Sequence, residues 1–133
     1  MKLTLVKNNP RYWEFVRNLR NMSGIREEFI EQQEISAIQQ AQYMLKYNSN
    51  FWICLDGDKP AGYVGIIEDD IRVATHPNFQ GQGVGSFMIN EIMKVYPTAT
   101  AKIKMDNMAS IKLFEKCGFV KKYYLLEKEE NAT

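Results

Sequence analysis

Gln80-Gly81-Gln82-Gly83-Val84-Gly85-Ser86 is the stretch whose reading decides the architecture of this chain. It follows a run of strand character, Ile71-Arg72-Val73-Ala74-Thr75, and opens a helical pattern in which Val84, Met88, Ile92 and Val95 share one face before Pro97. Without Cβ atoms the chain can approach a ligand closely, and the free N–H groups of a first helical turn favour a pyrophosphate. A plain glycine-rich turn fits the same spacing equally well. A Rossmann or P-loop assignment is disfavoured: the spacing is G-x-G-x-G, no G-K-[ST] follows, and the preceding strand ends a meander instead of starting a βαβ unit.

Upstream, residues 51–55 (FWICL), 61–67 (AGYVGII) and 71–75 (IRVAT) are separated by Asp56-Gly57-Asp58 and Glu68-Asp69-Asp70, which predicts a three-stranded antiparallel meander. Before it, residues 2–6 alternate as a short strand. Asn9 and Pro10 then cap and open a helix over 10–20, with Tyr12, Phe15, Val16 and Leu19 at helical spacing. A short helical run at 26–32 follows Met22-Ser23-Gly24, and Ser36 with Gln39 makes a capping box for a helix to about Tyr47. Downstream, a strand at 99–105 leads to a helix at about 108–117, stopped by Gly118, and a last strand, FVKKYYLL (119–126). The tail at about 127–133 is expected to fray. This order predicts a mixed α/β layered fold over 1–133 as one domain, with helices covering a central sheet.

Composition narrows the chemistry. The 133 residues are 45% apolar and 25% charged, with 17 basic against 16 acidic side chains, a balance that gives no field for nucleic acid or anionic lipid. No stretch has the length of a membrane span, and a reducing cytoplasm fits the cysteine usage. Cys54 and Cys117 lie far apart in sequence, outside any C-x-x-C, and His76 is the single histidine. A zinc site or a Cys-His nucleophile pair is therefore not expected, and no metal is called for. Carboxylates, hydroxyls and backbone remain as the reactive groups.

Two segments together resemble a known family. Val73-Ala74-Thr75-His76-Pro77-Asn78-Phe79-Gln80-Gly81-Gln82-Gly83-Val84-Gly85 is similar to motif A of the GNAT N-acetyltransferases, [QR]-x-x-G-x-[GA] after a strand. Asn107-Met108-Ala109-Ser110-Ile111-Lys112-Leu113-Phe114-Glu115-Lys116-Cys117-Gly118-Phe119 resembles motif B. The likeness covers about residues 50–126, and earlier residues only in helix count. It implies the GNAT fold: a mixed, mostly antiparallel sheet, helices on both faces, and a splay between strands four and five. It also implies acetyl-CoA as cosubstrate. The fourth strand would pair with the pantetheine, Gly81, Gln82, Gly83, Val84, Gly85 and Ser86 would hold the pyrophosphate, and Asn107 would reach the pantetheine arm. Ser110 and Phe114 fall on the same cofactor side. A backbone N–H near Ala74 or Thr75 would face the thioester oxygen.

Phe114 stands where many relatives carry a tyrosine that protonates the departing thiolate. Phenylalanine cannot donate that proton, so Tyr123, Tyr124 or water would have to, and strand alternation lets only one of the two tyrosines face the site. Tyr124 is the candidate acid. Glu68 and Asp69, at the start of the fourth strand, are candidates for the general base, against the reading of a solvated turn. His76 reads as structural or as a cofactor contact, and both cysteines as core. Arg17, Arg20 and Arg26 are either solvated or a clamp for an anionic acceptor.

The family reading implies an acetyl-CoA-dependent transfer to a primary amine by direct attack in a ternary complex. The acceptor would be a nucleotide-linked amino sugar or another small amine, with protein N-termini or lysines as the alternative. A catalytically weak acyl-CoA sensor is the rival from another class. A homodimer is expected from the family.

Overall fold

The computed structural model describes residues 1–22 and 34–129. Strand β1 (Leu3–Lys7) leads to helix α1 (Pro10–Asn21), whose cap, Asn9, accepts from the Arg11 N–H at 3.0 Å. The helical run expected at 26–32, and Arg26 with it, lies outside the described residues. Helix α2 (Ala37–Tyr47) carries the capping box the sequence predicts: the Ser36 hydroxyl accepts from the Gln39 N–H, and the Gln39 side chain accepts from the Ser36 N–H. A 3-10 turn at Asn48–Asn50 then feeds the meander β2 (Phe51–Asp56), β3 (Lys59–Ile67) and β4 (Asp70–Thr75). The sheet order is β1-β2-β3-β4, antiparallel throughout. Helices α3 (Val84–Val95) and α4 (Met108–Lys116) complete the assigned elements.

Strand alternation sorts the core into two halves, one on each face of the sheet. Cys54, Val64, Ile66 and Ile71 face α3 and α4, joining Val84, Met88, Ile89, Ile92 and Phe114. Ile53, Leu55, Tyr63, Ile67 and Ala74 face α1 and α2, joining Val16, Leu19, Met44 and Phe51. A bulge opposite Cys54 and Leu55 gives β3 one extra residue, so Ala61 packs with the even-numbered positions of that strand. Both cysteines are free. Burial pushes the Cys54 thiol up to about 11, with Asp56 adding to the shift, as befits an inert core residue.

Two sequence expectations need correction. The strand expected at 99–105 is reduced to one parallel bridge, Asp70 with Thr100. The Thr100 N–H donates to Asp69 O at 2.8 Å and the Ile71 N–H to Thr100 O at 2.9 Å. The next rung of a parallel ladder would join the Lys102 N–H to the Ile71 carbonyl. That amide instead donates to Asp70 Oδ1 at 3.1 Å, and the two segments part there. The last strand, 119–126, is likewise not a strand: beyond Phe119 the chain is exposed and joins no sheet among the described residues. The splay expected beside the fourth strand is thus a single rung followed by divergence.

Candidate active site

Where residues 101–104 diverge from β4, a cleft of about 990 Å³ opens between β4, α3 and α4 and continues towards α1 and α2. Its floor is a strand edge whose free groups follow from parity. His76 donates its N–H to Ala61 O at 2.8 Å, on the β3 side. Alternation therefore turns the Ala74 and Arg72 amides to β3 as well, and those of Ile71, Val73 and Thr75 outward. Thr100 occupies the Ile71 N–H. The Thr75 carbonyl is taken by Gln80 Nε2 at 3.1 Å. This leaves the Val73 and Thr75 N–H groups and the Ile71 and Val73 carbonyls on the open edge. Of the two residues named for an oxyanion contact, Thr75 has an amide with the required direction; Ala74 lines the cleft with its amide committed to the ladder opposite Tyr63.

The glycine-rich loop ends in the N-terminus of α3. Gly81 and Gly83 have φ of 76° and 85°, and a Cβ at either would meet nothing within 4 Å, so backbone conformation alone demands glycine there. Gly85 is glycine for another reason: its Cβ would lie 2.9 Å from Leu113 Cδ2, so it sets how closely α3 and α4 pack. Phe87 donates to Gly83 O, which leaves the amides of Val84, Gly85 and Ser86 without a helical acceptor. Those three residues line the cleft, as do Gly81 and Gly83. Gln82 does not. Its side-chain amide turns to Asn78 O at 3.1 Å.

On the opposite wall, Asn107 caps α4 by accepting from the Ser110 N–H at 3.1 Å, and Asn107, Ser110 and Phe114 all line the cleft. Phe114 is buried and packs edge-on against Phe119 at 5.1 Å, so it is wall and core together. Lys102 and Lys116 also line the cleft, although the sequence reading did not single them out. Their signal, isolated lysines in a chain with 17 basic residues, gave no reason to choose them.

The carboxylate candidates separate. Glu68 and Asp69 occupy the centre of the two-residue turn between β3 and β4 with φ of 52° and 63°, the left-handed region usually given to Asn or Gly. Glu68 and Asp70 line the cleft. Asp69 does not, and its carbonyl instead holds Thr100. Tyr124 is 91% exposed and outside the cleft because the strand expected to carry it does not form, so the structure does not bring it to the site.

At the far end, Arg20, Tyr43, Phe51 and Tyr63 come together from α1, α2, β2 and β3. Arg20 lies over the Tyr43 ring at 5.5 Å, and Phe51 meets Tyr63 edge-on at 5.8 Å. Burial holds the Tyr63 phenol well above its usual range, so it stays protonated. The tyrosines were missed because their apolar context reads as core. Arg17 is drawn away, paired with Glu14 and donating to Ile35 O at 3.3 Å. His76 caps the 3-10 turn Pro77–Phe79, its Nδ1 accepting from the Asn78 N–H. Among the described residues there is no cluster of three metal-ligating side chains and no helix long and apolar enough to cross a membrane.

Known structures share this fold. A spermidine N-acetyltransferase from Vibrio cholerae, in complex with CoA and spermine, matches with a TM-score of 0.81 and 22% identity over 95% of this chain and 85% of its own. A GNAT-family acetyltransferase from Streptococcus pneumoniae matches at 0.70 and 18%, over 92% and 87%. An aminoglycoside acetyltransferase bound to coenzyme A matches at 0.69 and 18%, over 91% and 86%. A search of curated proteins finds no significant match. The sequence itself matches the acetyltransferase (GNAT) family over residues 13–119, most of its length, and with the fold and cleft just described this chain belongs to that family.

Proposed function

We propose that the protein transfers the acetyl group of acetyl-CoA to a primary amine by direct attack, with both substrates held in one cleft. The observation that carries this reading is the pairing of an unladdered strand edge with the open amide turn of α3. The outward Val73 and Thr75 groups fit a pantetheine amide chain. The amides of Val84, Gly85 and Ser86, reached over Gly81 and Gly83, fit a pyrophosphate. Asn107, Ser110 and Phe114 form the facing wall.

The amine nitrogen forms a bond to the thioester carbonyl carbon, and the C–S bond then breaks. The developing oxyanion is within reach of an outward β4 amide, which costs no reorganisation during the step. Holding both reactants at near-attack distance supplies much of the rate. The ammonium proton leaves to Glu68, directly or through water. With phenylalanine at position 114, the thiolate takes its proton from solvent. A thiol pKa of about 8.5 makes that leaving group tolerable, since a missing general acid costs about 10²–10⁴-fold.

The acceptor end combines Glu68 and Asp70, suited to an amine, with the Arg20 guanidinium, suited to an anionic group on the same molecule. A nucleotide-linked amino sugar has both features, and other small amines have the first. The test is acetyl-CoA consumption and thiol release over nucleotide amino sugars, polyamines, amino acids, and peptides with free N-termini or lysines. One acceptor turned over well above the rest is expected. Silence across the panel while calorimetry shows acetyl-CoA bound would favour the sensor reading, for which Phe114 is the specific observation. Phe114→Tyr is expected to leave kcat equal or raise it; a large loss would show that the ring serves packing alone.

A further inference from the structure

One wall of the cleft carries a primary amine of its own. Residues 100–103 line the cleft where the chain parts from β4, and among them Lys102 has the side-chain nitrogen. Its direction follows from alternation. Ala101 and Ile103 pack with the core beneath α3 and α4, so Lys102 between them points to the opposite face. The bridge agrees: Thr100 is in register with Asp70, and Asp70 shares its face of β4 with Ala74, which packs in the core beneath α1 and α2. Arg20, Tyr43 and Tyr63 border the cleft on that same side. Lys102 therefore belongs to the acceptor end, whereas Lys116, also on the cleft, stands on α4.

The backbone of this lysine is held in place. Its N–H donates to Asp70 Oδ1 at 3.1 Å, and Asp70 Oδ2 accepts in turn from Arg72 Nε at 3.0 Å. Its ammonium forms no ion pair with a described residue, so the flexible four-carbon stem can swing along β4 without breaking one. We propose that Lys102 is an acetyl acceptor built into the protein: with acetyl-CoA bound and no other amine in the cleft, the chain acetylates its own Lys102 Nζ. This rests on the transfer reaction proposed above and follows the same path. The ammonium first gives one proton to Glu68 through water. Nζ then forms a bond to the thioester carbonyl carbon, the C–S bond breaks, and a second proton of the nitrogen passes through solvent to the departing thiolate. Tethering replaces the binding step that a free amine needs, so a single turnover proceeds at high effective concentration. The reaction stops there, because an acetyl-lysine has no amine left to react, and the acceptor end loses one positive charge.

The full chain, incubated with isotopically labelled acetyl-CoA and no added amine, is expected to gain one acetyl group by intact-mass spectrometry, located on Lys102 by peptide mapping. Its rate constant should not change when the protein is diluted about tenfold, as an intramolecular step requires. Lys102→Arg keeps the charge but offers no amine that can be deprotonated, so labelling should drop at least about tenfold while the unfolding temperature holds. At subsaturating acetyl-CoA, Gly83→Val should slow labelling in proportion to the affinity it loses. Label scattered over the exposed Lys2, Lys112 and Lys121, or placed first on Lys116, would overturn the proposal. So would a rate constant that falls on dilution or one indifferent to Gly83→Val. An unlabelled chain that calorimetry shows to bind acetyl-CoA would overturn this proposal alone, leaving the acetyltransferase reading to its own test on free amines. A chain that binds no acetyl-CoA would overturn both.

Discussion

The two faces of the sheet are built by different means. The face towards α3 and α4 makes the β4 and α3 sides of the cleft from backbone, with α4 side chains only as the facing wall: two outward amides of β4, three open amides of α3, and glycines where φ is positive. The face towards α1 and α2 makes its share from side chains, Arg20, Tyr43, Phe51 and Tyr63, each from a different element. Backbone recognition is generic and suits a substrate shared by a whole family. Side-chain recognition can be changed one residue at a time, which suits an acceptor that differs between relatives.

This contrast is open to direct attack. The largest effect is expected from Gly83→Val, which places a β-branched residue at φ of 85° and turns the α3 amides out of line. Acetyl-CoA affinity should fall about 100-fold by calorimetry, with far-ultraviolet dichroism retained. Unchanged affinity would remove the loop from the binding site. Arg20→Ala should do the converse: KM for an anionic amine rises about tenfold, while the acetyl-CoA Kd stays within about twofold. Equal loss of both would show that the halves are not separable.

Asp70→Ala tests what keeps the β4 edge open. Freed from Asp70 Oδ1, the Lys102 N–H can reach the Ile71 carbonyl and extend the ladder over the cleft. KM for acetyl-CoA should rise several-fold, with slower hydrogen exchange at Lys102, whereas Asp70→Asn, which keeps an acceptor oxygen, should leave both of these readouts as in wild type.

The smallest effect is one of stability. Burial raises Cys54 from 9.0 to about 11. The unfolded thiol then ionises first, so the contribution is intact below pH 9 and is lost as pH climbs to about 11. Unfolding free energies from denaturant titration should fall over that window by up to about 3 kcal/mol more in wild type than in Cys54→Ala.

The backbone-built half was legible in the sequence because turns and caps are local. Gly83 opens α3 where its spacing implied, and on the other face Asn9, Ser36 and Gln39 cap their helices in the same local way, whereas the cap Asn107 makes for α4 was not read from its spacing. The side-chain half was not legible, since Tyr43 and Tyr63 look like core until the sheet sets them at the end of a cleft. The fifth and last strands failed for a related reason. KIKM and VKKYYLL have strand propensity, but a strand needs a partner, and propensity does not say whether one is in reach. Asp70 shows the same limit: nothing in a turn written Glu-Asp-Asp tells which carboxylate will intercept a rung.

That turn has a consequence for anyone who would improve the protein. Glu68 and Asp69 sit in a conformation that Asn-Gly would adopt with less strain, by about 1–2 kcal/mol per residue. Any selection for heat resistance alone will be drawn to this spot first. It will exchange the cleft's Glu68, the base proposed above, for a residue that cannot take a proton, and under that proposal a hardier protein and a slower one arise from the same two codons.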